Sequence, residues 1–317
     1  MADQIRVGIV GYGNLGKGVE LAISRNPDFS LVKIFDRRSP DQLEEMKAYI
    51  GAIDFMLLCI GSSVDLPIQT PQVATMFNTV DSFDTHAQIP VYFASVDEAA
   101  RNAGTIAMIS TGWDPGLFSL MRGLFEAVLP DGKTSTFWGP GVSQGHGEAI
   151  KRLPGARVAR AYTIPVEATM EKVRAGDVSD FTPRQMHKRV CYVVPEEGAD
   201  LEELRQRIVS LPNYFEPNET TVTFIDMETF EREHRALPHG GVVLRSGRTG
   251  AADTAQLMEF RLGLDSNPEF TASAMLCFCR AAWRMYQDGR RGAVTVFDAP
   301  LGYLGAQDPS VWRKGLL

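Results

Sequence analysis

The chain has 317 residues and a formal net charge of −7. That length is enough for two domains, and the acidic balance argues against nucleic acid as a main partner. With 44% hydrophobic and 22% charged residues the composition is that of an ordinary globular protein, and no apolar run is long enough for a membrane span.

The first third alternates strand-like and helix-like segments. Ile5 to Gly11 is a β-branched run ending in glycine, hence a buried strand. Leu15, Val19, Ala22 and Ile23 then recur at helical spacing until Pro27. Ser30 to Phe35 is a second strand, and Asp41 to Gly51 is a short polar helix closed by glycine. Asp54 to Gly61 is a third, apolar strand, and a proline-limited helix follows it. Asn78 to Phe83 and Thr105 to Thr111 are two further strands around a helix at Val96 to Gly104. This alternation predicts an α/β fold with a doubly wound parallel sheet, covered on both faces. After Gly112 the pattern changes. A helix from Pro115 gives way to longer strands at Thr134, Ala159, Lys188, Thr220, Gly241 and Ala255, interrupted by helices near Glu167 and Leu201. That predicts a second, α+β domain on a mixed, mostly antiparallel sheet. A long helix to Gly289 and a short strand at Gly292 close the chain.

The N-terminal residues Met1 to Gly13 lack the order of a signal peptide. Cys59, Cys191, Cys277 and Cys279 form no C-x-x-C pair and are expected to be buried free thiols. Both features make a cytoplasmic location the expectation.

The stretch Gly11, Tyr12, Gly13, Asn14, Leu15 and Gly16 is a G-x-G-x-x-G loop between the first strand and the first helix. In that context it predicts dinucleotide binding. Gly11 permits the tight turn, Gly13 lets backbone approach a pyrophosphate, and Gly16 lets helix pack on strand. Helix-start amides and the helix dipole favour the bound anion. About twenty residues on, the second strand ends at Asp36, Arg37 and Arg38, where the adenosine ribose is read. A carboxylate there accepts from a 2′-hydroxyl, whereas two guanidinium groups clamp a 2′-phosphate. The arginines make NADP the expected cofactor. Gly61, Ser62 and Ser63, after the third strand, are further candidates for cofactor contact.

Asp81, Asp84 and His86 follow the fourth strand, and Trp113 and Asp114 follow the fifth. Carboxylates at neighbouring strand ends can hold an ammonium group, and one can act as a base. The competing reading of Asp114 is a helix N-cap before a proline at the first helical position. In the second domain Trp138, Gln144 and His146 lie in a glycine-rich turn, with His187, Lys188 and Arg189 at a strand start and His239 before two glycines. Arginine and histidine suit a carboxylate. No spacing points to a metal, and no G-x-S-x-G elbow is present. An acidic patch beside a dinucleotide site, with a basic, aromatic-lined second domain, suits a zwitterionic substrate.

At these residues the chain resembles the meso-2,6-diaminopimelate dehydrogenases. The motifs that carry the resemblance are IRVGIVGYGNLG, STGWDPG, FWGPGVSQGH, MHKRV, PHGG and NPEFTAS, in order along nearly the whole chain. The resemblance implies NADP-dependent oxidative deamination of the D-centre of meso-diaminopimelate by a cytosolic homodimer. It implies a cofactor domain of residues 1–112 completed by 264–317, and a substrate-binding and dimerisation domain of 113–263. It assigns Asp84 and Asp114 to the reacting amino group, and Trp113, Trp138 and Gln144 to the pocket. Thr163, Arg189 and His239 fall to the distal carboxylate, Asn267 to the substrate's vicinity, and Arg37 and Arg38 to the 2′-phosphate. Asp36 and Gln88 depart from the family pattern. A reductase of a cyclic imine or aldehyde on the same fold is the alternative. A non-catalytic dinucleotide sensor is a second one, which the polar second domain disfavours.

Overall fold

In the computed structural model, which describes residues 4–36 and 41–317, the alternating runs of the first third form regular elements. They are β1 (Ile5–Val10), α1 (Asn14–Ser24), β2 (Phe29–Phe35), α2 (Gln42–Lys47), β3 (Phe55–Leu58), α3 (Leu66–Ala74), β4 (Asn78–Asp81), α4 (Ile89–Ala103), β5 (Ile106–Met108) and α5 (Leu117–Val128). Next come β6 (Gly132–Trp138), β7 (Gly141–Val142), α6 (Gln144–Lys151), β8 (Ala156–Pro165), α7 (Glu167–Arg174), α8 (Pro183–Met186) and β9 (His187–Pro195). They are followed by α9 (Leu201–Val209), β10 (Glu219–Phe224), α10 (Met227–Glu233), β11 (His239–Thr249) and β12 (Thr254–Leu264). The chain closes with α11 (Asn267–Gln287), β13 (Gly292–Val294), α12 (Leu301–Leu304) and α13 (Pro309–Leu316).

Two compact units result: Met1–Leu120 with Pro268–Leu317, and Met121–Asn267. In the first, six strands pair in the order β13-β5-β4-β3-β1-β2, all parallel. The chain leaves β1 toward β2 on one side and returns to β3 on the other, which makes the loops after β1 and β3 the expected ligand crevice. Alternate side chains of the buried strands serve the two faces. Phe55 and Leu57 join a core with α1 and α11, and Met56 and Leu58 join one with α2, α3 and α4. A buried Arg280 on α11 pins that helix to the α1–β2 turn, donating to Asp28, to Asn26 Oδ1 at 2.9 Å and to the Leu304 carbonyl at 2.8 Å. Such a buried guanidinium is tolerated because each of its three nitrogens donates a hydrogen bond and Asp28 pairs its charge.

In the second unit the strands divide into two sheets rather than one. One has the order β10-β9-β8-β7, with β10 parallel to β9 and the other pairs antiparallel. The other is an antiparallel sheet of β12-β11-β6. Separate apolar clusters underlie them, one around Phe215 and Cys191, the other around Phe137 and Leu244.

Several boundaries differ from the sequence reading. α2 ends at Lys47, before Gly51, and α4 starts at Ile89, about two turns earlier than the expected start at Val96. β7 and α10 are too short for periodicity to show them. Cys59, Cys191 and Cys279 are buried free thiols as expected, while Cys277 is half-buried. Among the described residues no helix is long and apolar enough to cross a membrane.

Candidate active site

The glycine loop lies between β1 and α1. Gly11 has φ of +86°, in the left-handed region, and its N–H donates to the Phe35 carbonyl at 2.9 Å. A Cβ on Gly16 would stand 2.1 Å from the Gly11 carbonyl oxygen, so only glycine allows α1 to start against the strand end. Gly13 faces open space, with nothing within 4 Å of a Cβ there. It is the N-cap residue of α1 and makes no side-chain cap hydrogen bond. Open space before the uncapped start of α1 fits a pyrophosphate, whose oxygens would satisfy the first-turn amides of Asn14, Leu15 and Gly16. Tyr12 is exposed and donates to Glu20, which raises the phenol's pKa. After β3, Gly61 and Ser63 are exposed and Ser62 is half-buried. Asp36 is exposed at the end of β2, whereas Arg37 and Arg38 lie outside the described residues.

Both candidate acids sit at the C-terminal ends of neighbouring strands, β4 and β5. Asp84 is exposed, and its backbone N–H donates to Ser62 Oγ at 2.9 Å. Asp114 is half-buried and stands at the tip of a closed turn. Leu117 N–H donates to the Gly112 carbonyl at 3.0 Å, and Phe118 N–H to the Trp113 carbonyl at 2.8 Å. Gly116, at φ +129°, could carry no side chain, because its Cβ would lie 2.0 Å from the Gly112 oxygen. α5 therefore begins at Leu117, and the N-cap reading of Asp114 with Pro115 inside the helix does not hold. Trp113 is buried edge-on against Phe118, ring centroids 5.2 Å apart.

The second unit gathers its candidates through strand register. Gly141 of β7 pairs with Thr163 of β8, which pairs with Arg189 of β9. The Arg189 guanidinium donates to Thr163 Oγ1, and Thr163 Oγ1 is 2.5 Å from Ser143 Oγ. Thr163 is buried, Arg189 is half-buried, and Arg189 Nε has no hydrogen-bond partner among the described residues. Burial lowers the arginine's pKa, with Cys191 acting the other way and no carboxylate among the described residues contributing. Such a cation, removed from water without an acid beside it, is set up for an incoming anion.

His146 of α6 packs edge-on against Tyr214 and Phe215, and its pKa falls to about 4 because of burial and then Arg189. His187 is shifted to about 4 for the same reasons and accepts from the Trp138 backbone N–H at 2.9 Å. Both imidazoles are therefore neutral at pH 7. Trp138 is 37% exposed, lies 5.5 Å from the His187 ring, and closes β6. Gln144 is exposed at the first position of α6. His239, at the start of β11, keeps Nδ1 2.8 Å from the Gly240 N–H. The Asn267 N–H donates to the Leu237 carbonyl at 2.9 Å, two residues before His239.

Comparisons with known proteins show the family. Residues 112–266 match the diaminopimelic acid dehydrogenase C-terminal domain. The meso-diaminopimelate D-dehydrogenase of Lysinibacillus sphaericus is 51% identical over 324 residues, covering 99% of each chain. The chain belongs to the meso-diaminopimelate D-dehydrogenase family. Its fold matches a six-fold substituted meso-DAP dehydrogenase of Clostridium tetani E88, solved with DAP, at a TM-score of 0.94 and 48% identity. That match covers 99% of this chain and 100% of the other. An engineered D-amino acid dehydrogenase bound to NADP+ matches at 0.88 and 41% identity, again over 99% and 100%. Membership of this dehydrogenase family removes the ground for the imine-reductase alternative.

Sequence reasoning passed over Ser143, which ties Thr163 into the chain of hydroxyls, and undervalued His187, which orients the Trp138 backbone. Ser143 lies inside the SQGH motif, and the seryl at the N-cap of a glycine-rich helix was the available signal.

Proposed function

We propose that this amino acid dehydrogenase oxidatively deaminates the D-centre of meso-diaminopimelate with NADP+, reversibly. The products are ammonia and L-2-amino-6-oxopimelate, which cyclises to tetrahydrodipicolinate. The observation that carries the reading is the half-buried Arg189, its Nε without a partner among the described residues and its guanidinium beside two hydroxyls, a receptor for a carboxylate remote from the reacting carbon. An amino acid with one carboxylate gives such a receptor nothing to bind.

A bound nicotinamide would supply the hydride acceptor for the D-centre Cα–H. The glycine loop would hold the pyrophosphate, Gly61, Ser62 and Ser63 would add cofactor contacts, and Arg37 and Arg38 would take a 2′-phosphate against the unfavourable charge of Asp36. Asp84 and Asp114 hold the substrate amine, take up its proton directly or through water, and stabilise the iminium charge that develops as hydride leaves. Water then adds to the iminium carbon and ammonia departs. Trp113, Trp138 and Gln144 line the substrate's path. Thr163, Arg189 and His239 orient the distal L-centre, so only one of two stereocentres reacts.

The Clostridium tetani protein supports this set of residues. It was altered at a glutamine, a threonine, an arginine, a proline–histidine pair and an asparagine. Gln144, Thr163, Arg189, Pro238 with His239, and Asn267 stand here in the same order, with the same intervals through His239. The reading also includes a cytoplasmic homodimer.

Initial rates of cofactor reduction at alkaline pH, with meso-diaminopimelate and either NADP+ or NAD+, test it. Turnover with NADP+ well above that with NAD+ is expected. Equal rates would give Asp36 control of the cofactor, and no turnover with either would refute the assignment.

A further inference from the structure

We propose that Asp81 is a positioning residue for the reaction, its buried carboxylate locking together the two loops that carry Asp84 and Asp114. The inference rests on the catalytic reading of those two acids. Asp81 ends β4 and is fully buried. Its Oδ1 accepts from the Phe83 N–H at 2.9 Å and from the Ser110 N–H at 3.0 Å. One oxygen thus holds the start of the Asp84 loop and the start of the Asp114 loop at once. Its backbone carbonyl accepts from Thr111, N–H at 2.8 Å and Oγ1 at 2.7 Å, so the same residue grips the second loop twice. Oδ2 accepts from the Tyr92 hydroxyl at 2.5 Å, and Tyr92 is 2.7 Å from Thr70 Oγ1, which anchors the carboxylate to α4 and α3.

The loop being held is one that needs holding. Ser110 is buried at φ +57°, a left-handed conformation that side-chained residues seldom adopt, and its Oγ has no partner among the described residues. Four residues later comes Asp114. Strain of that kind persists only where the surroundings over-determine it, and the Asp81 acceptors are the groups that fix the Ser110 and Thr111 amides. On the other loop, the Asp84 N–H is held by Ser62. Asp81 touches neither reacting group, so its role is to set where the two acids stand. Desolvation raises its pKa to about 6, and the three donors oppose that rise, which agrees with a carboxylate kept for its hydrogen bonds.

The test compares Asp81→Ala and Asp81→Asn with the wild type, using meso-diaminopimelate and NADP+ well below each protein's unfolding temperature. NADP+ affinity is followed separately by fluorescence. The asparagine keeps one oxygen for the two backbone N–H groups, and its amide can donate to the Tyr92 oxygen. The alanine variant is expected to lose about 10²-fold in kcat, with KM and NADP+ affinity little changed. The asparagine variant is expected to recover to within about five-fold of wild type. Wild-type kcat in Asp81→Ala, or equal losses in both variants, would overturn the proposal, the second because charge and not placement would then be at work. If the alanine variant fails to fold, Tyr92→Phe, which removes one donor, is expected to lower kcat about three-fold at unchanged KM, and an unaltered kcat there overturns it. An inactive wild type would instead refute the functional reading and this inference with it.

Discussion

The two units hold their charged candidates in opposite ways. In the first, Asp84 is exposed at the end of a parallel strand, and what the fold fixes is the loop backbone, through Ser62, Asp81 and the closed turn from Gly112 to Gly116. In the second, Arg189 is already mostly out of water, wired to Thr163 and Ser143, with two neutral histidines nearby. A solvated acid with a fixed backbone gains strength only when substrate excludes water, which suits a group acting on a transition state. A desolvated arginine discriminates before any chemistry, because leaving it without an anion is costly. Under the proposed function, rate falls to the first unit and recognition to the second.

That division makes the expected effects separable. Asp84→Ala and Asp114→Ala should cause the largest losses, about 10²- to 10³-fold in kcat, with smaller changes in KM; steady-state kinetics with meso-diaminopimelate checks this. Arg189→Met should instead raise KM about 10- to 100-fold and leave kcat within a few-fold. Ser143→Ala removes only the outer hydroxyl of the chain and should raise KM about five-fold, detectable in the same assay. A loss in kcat larger than that in KM for either second-unit variant would break the comparison.

The smallest effect concerns pH. His146 and His187 have folded pKa values near 4, below the ordinary 6.5, so the unfolded chain binds their protons first as pH falls. Their contribution to stability is full above pH 6.5 and is lost progressively toward pH 4. Asp81 acts the other way: its folded pKa is raised from 3.8 to about 6, so its contribution falls as pH rises through that window. Two histidines outweigh one carboxyl, and the urea midpoint should drop on acidification from pH 6.5 to 4. His187→Gln, whose longer side chain can bring an amide oxygen to the Nε2 position and still accept from the Trp138 N–H, should flatten that slope.

Much of the first unit was legible because its logic is local. A strand, a G-x-G-x-x-G loop and a helix are contiguous, and Gly16 against the Gly11 carbonyl is a contact within five residues. The closed turn at Asp114 was not legible, because a residue before proline and ahead of an apolar helix looks like a cap, and only the Gly112–Gly116 closure shows otherwise. The second unit was harder. The Ser143–Thr163–Arg189 chain depends on the register of β7, β8 and β9, and β7 is two residues long, too short for any pattern. Asp81 read as one of two acids in a motif, since its grip on Ser110 spans two adjacent strands and 29 residues of sequence.

The most direct test compares two substrates in three proteins: meso-diaminopimelate and D-2-aminoheptanoate, which lacks the distal amino acid group, with wild type, Asp84→Ala and Arg189→Met. The account predicts that Arg189→Met loses kcat/KM on meso-diaminopimelate alone, while Asp84→Ala loses it on both. Equal losses on both substrates in Arg189→Met would contradict the division of labour between the two units.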